Sequence, residues 1–238
     1  MKFLVIPMML LASMFSFAGT EHNHDQVSKG NEAVNYTNTL LILGDNHMSV
    51  AKMEMLQDFA KDKALKLEYK RFKDVSAKQA SIEFSKHELV IFDVLSARLA
   101  SMMLGQYQAA MQNNPQVKFD SPRILKTNDF RQGISKDQAQ QLTGYYYNGG
   151  KENFKQMMSY ISSEVFANKG IEYKPYISIP TTGYYHYNLE NKVTDNTTEL
   201  KSILTLTDNT PIIAVAIHRE AVESEQTKII DRTLKLLE

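Results

Sequence analysis

The chain predicts an α/β fold in which a mainly parallel sheet is flanked by helices, and three observations lead there. Strand-type runs recur at Thr39–Leu43, Leu65–Tyr69 and His87–Asp93. Stretches with apolar residues at helical spacing separate and follow them, as in β-α-β units. The first and third runs are nearly continuous in apolar side chains, which suits parallel strands covered on both faces. Composition agrees with a packed core, since 43% of the residues are hydrophobic.

In chain order, residues 1–18 have the form of a secretory signal. Lys2 gives the positive start, Phe3–Phe17 is almost wholly apolar, and Ser16-Phe17-Ala18 offers small residues for cleavage. Cleavage after Ala18 and an exported, periplasmic or envelope-associated protein are expected. No Cys occurs in the chain, so lipid attachment, disulfides and thiolate metal sites are excluded. Residues 19–38 form a polar, flexible lead-in without apolar period. Within it, His22 and His24 stand between Glu21 and Asp25 and are candidate ligands for zinc or copper. A solvated tail is the plainer reading.

Residues 39–170 form the predicted α/β domain. After the first strand, Val50–Ala64 places Val50, Met53, Leu56, Phe59 and Ala60 on one helix face. Leu65–Tyr69 alternates, His87–Asp93 is the third strand, and Ser96–Met111 is a helix with Leu99, Met102, Met103, Leu104 and Tyr107 turned to the sheet. Gly44, Asp45, Asn46, His47 and Asp93 fall at the carboxyl ends of strands, where open α/β sheets bind small molecules. Turn and capping roles are the plainer account of Asp45 and Asn46. No glycine-rich phosphate loop is present. Ser135 caps a further helix, and Gly149-Gly150 supplies a positive-φ turn. Asn153–Phe166 is amphipathic through Phe154, Met157, Met158, Ile161 and Val165, with Lys169-Gly170 as its expected end.

Residues 171–209 read as a connecting segment. Tyr173, Tyr176, Tyr184, Tyr185 and Tyr187 surround Pro175, Pro180 and His186. Such rings stack on a planar ligand and a neutral His ligates a metal, or the rings simply cover a domain edge. Residues 210–238, with the apolar run Ile212–Ile217 and a helical pattern over Ser224–Leu237, read as the first strand and helix of a further α/β domain, so the chain is expected to be the front of a longer protein. Lys plus Arg and Asp plus Glu both number 27. The zero net charge excludes long-range attraction to nucleic acid or an anionic membrane.

Three blocks occur in order: Tyr145-x-x-x-Gly149-Gly150-x-x-Asn153, then Pro180-x-x-Gly183-x-Tyr185-His186, then Pro211 with the apolar run after it. From roughly Thr39 onward the chain resembles the N-terminal region of the cobaltochelatase large subunit (CobN type) and the related H subunit of magnesium chelatase. Where that family continues from the His with Pro, this chain has Tyr187. The resemblance implies a very large protein that encloses a tetrapyrrole and inserts or removes its metal. Cobalt or the tetrapyrrole is implied by the family, and no cofactor is assignable to this chain itself. On that basis His186, Tyr185, Gly149, Gly150 and Asn153 are candidate ligand-binding residues, and no catalytic residue is assigned. The implied partners are the tetrapyrrole, later domains of the same polypeptide and other chelatase or uptake subunits. Cytoplasmic members use ATP-hydrolysing partners, so an exported relative is expected to take metal from haem or to handle cobalt and corrinoids. The alternative is a stand-alone periplasmic binding or scaffold module without catalysis.

Overall fold

The computed structural model describes residues 35–44, 48–94, 96–123, 131–189, 192–204 and 216–237, all within one compact unit. The leader, His22, His24, Asp45, Asn46, His47 and the run from Ile212 to Val215 lie outside the described residues.

The predicted α/β class is observed. The order is β1 (Asn38–Gly44), α1 (Val50–Lys61), β2 (Leu65–Arg71), α2 (Ala77–Phe84), β3 (Leu89–Asp93), α3 (Ala97–Gln112) and β4 (Lys118–Asp120). The four strands form one parallel sheet in the order β2-β1-β3-β4. Because side chains alternate along a strand, Leu40 and Ile42 feed one core and Leu41 and Leu43 the other. The first core lies against α1 and later helices, the second against α2 and α3. All four β1 side chains are fully buried, each stabilising the fold by about 1.5–3 kcal/mol.

Within the region of the sheet two elements were not expected. The helix α2 has only eight residues, and its Ile82 is exposed while Ala80, Glu83 and Phe84 are buried, so its apolar period is broken. The strand β4 has three residues, too few to show any period. Two expected core contacts are corrected as well. Val50 and Met102 are each 64% exposed. Leu56 and Ala60 carry the α1 contact, Met103 and Tyr107 that of α3.

Beyond the sheet come α4 (Lys136–Asn148) and α5 (Gly150–Tyr160). Ser135 caps α4 as expected and forms a reciprocal capping box with Gln138. Gly149 and Gly150 have φ of 61° and 79°, the conformation that glycine adopts without strain and that turns α4 directly into α5. One π-helical turn, Ile161–Val165, extends α5. The expected end at Gly170 moves forward: Ala167 (φ 59°) is the left-handed residue, and the Asn168 N–H returns to the Ser162 carbonyl. A short antiparallel hairpin follows, β5 (Tyr184–Tyr185) with β6 (Val193–Thr194), then α6 (Thr197–Ile203), α7 (Arg219–Glu223) and α8 (Lys228–Leu237). The helical pattern expected from Ser224 starts at Lys228, because Glu225 (φ 56°) separates α7 from α8. Among the described residues no helix is long and apolar enough to cross a membrane.

Candidate functional site

The Gly149-Gly150 turn aims two asparagines at one extended segment. Asn148 ends α4, and its Oδ1 accepts the Ile179 N–H at 2.8 Å while Nδ2 donates to the Gly144 carbonyl at 2.7 Å. Asn153, in the first turns of α5 and 2% exposed, accepts the Ile177 N–H at 2.7 Å. Its Nδ2 donates to the Ile177 carbonyl at 2.9 Å and to the Gly149 carbonyl at 2.8 Å. Residues 171–180 form no regular structure, so these amides take the place of a neighbouring strand for their backbone. Gln156 accepts the Lys174 N–H at 2.7 Å, and the Tyr145 hydroxyl donates to the Lys174 carbonyl at 2.5 Å. Burial pushes the Tyr145 phenol up to about 12, which keeps it a donor at neutral pH.

The rings of this extended segment, the strap of residues 171–180, dock on the same helices. Tyr176 meets Tyr145 edge-to-face at 5.9 Å, and Tyr173 meets Tyr160 edge-to-face at 5.0 Å. Gly144 makes room for this, since a Cβ there would lie 2.2 Å from the Tyr176 ring. Between α4 and the strap runs an open groove of about 450 Å³, with Gln140, Thr143, Tyr147, Tyr176, Ile179 and Pro180 among its lining. Tyr147 and Tyr176 are 41% and 38% exposed, so aromatic surface borders the groove.

His186 follows β5 and is buried. Its Nδ1 accepts the Asn188 N–H at 3.2 Å, its N–H donates to the Lys192 carbonyl at 3.0 Å, and its ring stacks on Tyr187 at 4.4 Å. Gly183 is required by the hairpin, because a Cβ there would sit 2.6 Å from the Thr194 carbonyl oxygen. Tyr185 donates to Asp231 of α8, and burial together with this carboxylate raises its pKa.

Glu225 joins the two halves of the site. Gly149 has no side chain with which to cap α5, and the Glu225 carboxylate accepts the Lys151 N–H at 3.1 Å instead. An anion at a helix N-terminus is favoured by the unpaired amides and the helix dipole. The other Glu225 oxygen accepts from Lys192 of the hairpin at 2.5 Å. The sequence-derived candidates are thus brought together in two groups: Gly149, Gly150 and Asn153 form the clamp, and Tyr185 and His186 lie in the hairpin that Glu225 ties to it.

A second polar group lies at the carboxyl edge of the sheet, where β1 and β3 are adjacent and their connections leave in opposite directions. Asp93, 4% exposed, lies 3.8 Å from the Lys52 ammonium and 3.6 Å from the Arg123 guanidinium. Lys52 also sits over the Tyr146 ring, 4.5 Å from its centre. Burial, with Asp93 beside it, raises the Tyr146 pKa well above its usual value. Asp93 was anticipated from its strand end. Lys52, Arg123, Tyr146 and Asn148 were not. For Lys52 a signal existed, because it shares a four-residue spacing with the buried Leu56 and Ala60. For Asn148 the signal was its place directly before the glycine pair.

Among the described residues, neither group contains a nucleophile, base and orienting partner at catalytic spacing. No curated protein matches the chain. Among solved structures, it is similar to the catalytic subunit of cobaltochelatase from Mycobacterium tuberculosis, at 14% identity and a TM-score of 0.44. That similarity covers 63% of this chain and 12% of the other. Residues 143–238 match the family described as CobN/Magnesium Chelatase. They hold most of the clamp, the strap and the His186 hairpin, so the likeness to that family lies in the part of the chain that carries these residues.

Proposed function

We propose that the chain is the N-terminal part of an exported cobaltochelatase-like protein acting on a tetrapyrrole, and that the clamped strap forms one wall of the macrocycle's site. The observation that carries this reading is the coincidence of the family match over 143–238 with a single polar network of Asn148, Asn153, Glu225 and the hairpin. Metal insertion or removal requires a bent macrocycle, groups that move protons at the pyrrole nitrogens, and exchange of the ion against protein ligands. This chain's part is positional. The exposed Tyr147 and Tyr176 rings give flat apolar surface, and Glu225 ties the His186 hairpin to the clamp. The remaining groups would come from later domains or other chelatase or uptake subunits. A leader-type start at residues 1–18 supports export. An exported site lacks ATP, which favours metal removal from haem or cobalt and corrinoid handling over ATP-driven insertion.

The test begins with the coding sequence past codon 238. In the longer protein, Asn153→Ala is expected to slow metal insertion or removal through weaker tetrapyrrole binding, with secondary structure retained. An unchanged tetrapyrrole affinity in a protein whose strap is shown to be loose would refute the wall. N-terminal sequencing of protein from an envelope fraction checks export, and an intact Met1 in soluble cytoplasm would remove it.

A further inference from the structure

The β2 edge of the sheet carries a group of side chains that the chelatase reading does not use. Lys66, Glu68 and Lys70 alternate on the face of β2 turned to α2, Glu83 lies in the last turn of α2, and His87 follows one helical turn later. His87 comes from the interior. Its side chain is 2% exposed and neither ring nitrogen makes a hydrogen bond. Its Nε2 nevertheless lies 3.5 Å from Glu83 Oε1 and 4.0 Å from Glu68 Oε2. A buried imidazole aimed at two carboxylates without bonding either is unusual, because leaving a buried polar group unsatisfied costs about 1–3 kcal/mol.

The spacing fits an ion between them. Two ligand atoms each about 2.1 Å from a tetrahedral zinc-type ion stand about 3.4 Å apart. His87 and Glu83 are already at that separation, Glu68 lies 4.0 Å from His87 Nε2, and the three ligand atoms all fall within 4.8 Å of one another, so Glu68, at 34% side-chain exposure, closes in by at most about 1.4 Å to join them. Three lysines now balance the carboxylates. Lys70 contacts Glu83 at 2.5 Å, Lys86 contacts it at 2.9 Å, and Lys66 contacts Glu68 at 2.6 Å. All three are on the solvent side, with side chains 33%, 56% and 52% exposed, and long exposed side chains move aside at little cost.

We propose that Glu68, Glu83 and His87 form a site for one divalent transition ion of the zinc class, which Lys70 fills with its ammonium when the ion is absent. One imidazole and two carboxylates make a borderline donor set suited to such ions, with water completing the shell. The experiment uses the full chain carrying His22→Ala and His24→Ala, so that the His-x-His tail cannot contribute. Binding of Zn²⁺ is followed by calorimetry and that of Co²⁺ by its visible absorption. One ion per chain is expected in this background. Glu68→Gln should weaken it at least about tenfold and His87→Ala should abolish it. Lys70→Met, which removes the competing ammonium, should tighten it several-fold. Absence of binding in the background protein, or binding indifferent to Glu68→Gln and Lys70→Met, overturns the site. Those two residues are partly exposed, so the decision stands even where His87→Ala does not fold.

Discussion

Replacing Asn153 by Ala should release the strap from the helices while leaving the sheet intact. The Asn153 amide makes three hydrogen bonds, two with both backbone groups of Ile177 and one to Gly149. Only the two Ile177 bonds join the strap to the helices, and at about 1 kcal/mol net each their loss amounts to about 2 kcal/mol. The equilibrium between docked and undocked strap then shifts by about 30-fold, at 1.4 kcal/mol per factor of ten. Chymotrypsin reads this directly, since Tyr173 and Tyr176 lie in the strap and their rings are docked in the native state. Under conditions where opening is fast relative to cleavage, the rate at these residues should rise by the same factor. Asn153→Asp, which keeps the volume but faces the carbonyls of Gly149 and Ile177 with a carboxylate, should open the strap at least as far. Cleavage at Tyr176 within twofold of wild type in both variants would refute the clamp.

Gly144→Ala should leave global stability nearly unchanged, because a gain of about 1 kcal/mol in helix propensity offsets a lost ring contact of similar size. It should still expose Tyr176 to chymotrypsin, since the new methyl occupies the position of its ring, and unchanged cleavage would count against the packing described. Stability should also depend on pH in two opposite ways. Burial pushes Asp120 up to about 6, so the native state holds its proton where the unfolded chain, near 3.8, has released it; stability falls as pH rises from about 4 to 6, by about 3 kcal/mol in all, and Asp120→Asn should flatten that limb of a urea-midpoint profile. Glu83, held at about 2, contributes stability that is present above its ordinary 4.5 and lost as pH falls toward 2, so Glu83→Gln should flatten the acid limb.

How much of this was legible depended on where each residue's partner lies. The strands β1 and β3 were readable because burial on both faces forces continuous apolar runs, and the helix at Ser135 because its cap is a local interaction. Helix α2 was hidden by Ile82, an apolar residue on the solvent side, and by Glu83, a charged one on the buried side. The glycine turn was foreseen, but the clamp it creates was not. The partners of Asn148 and Asn153 are backbone groups 31 and 24 residues away, and nothing about Ile177 or Ile179 as residue types marks their amides for pairing. The tyrosines of 173–187 were seen as a cluster. The structure divides them, with Tyr173 and Tyr176 docked on α5 and α4, Tyr185 on α8 and Tyr187 on His186. Lys52 was hard to read as a site residue because a lysine is rarely buried, and Asp93 together with the Tyr146 and Phe154 rings makes that position tolerable.

The most direct test of the account is an absorption titration of the purified chain with haem and, separately, with a cobalt corrinoid. A site that binds a planar ligand tightly encloses most of its surface, whereas the groove beside the strap is open and bordered by one helix and one extended segment. A wall that needs further domains to close it predicts weak or undetectable spectral change, no one-to-one end point, and no metal insertion or removal by the chain alone. A sharp one-to-one shift that His186→Ala abolishes would contradict the account and make this chain a self-sufficient binding module.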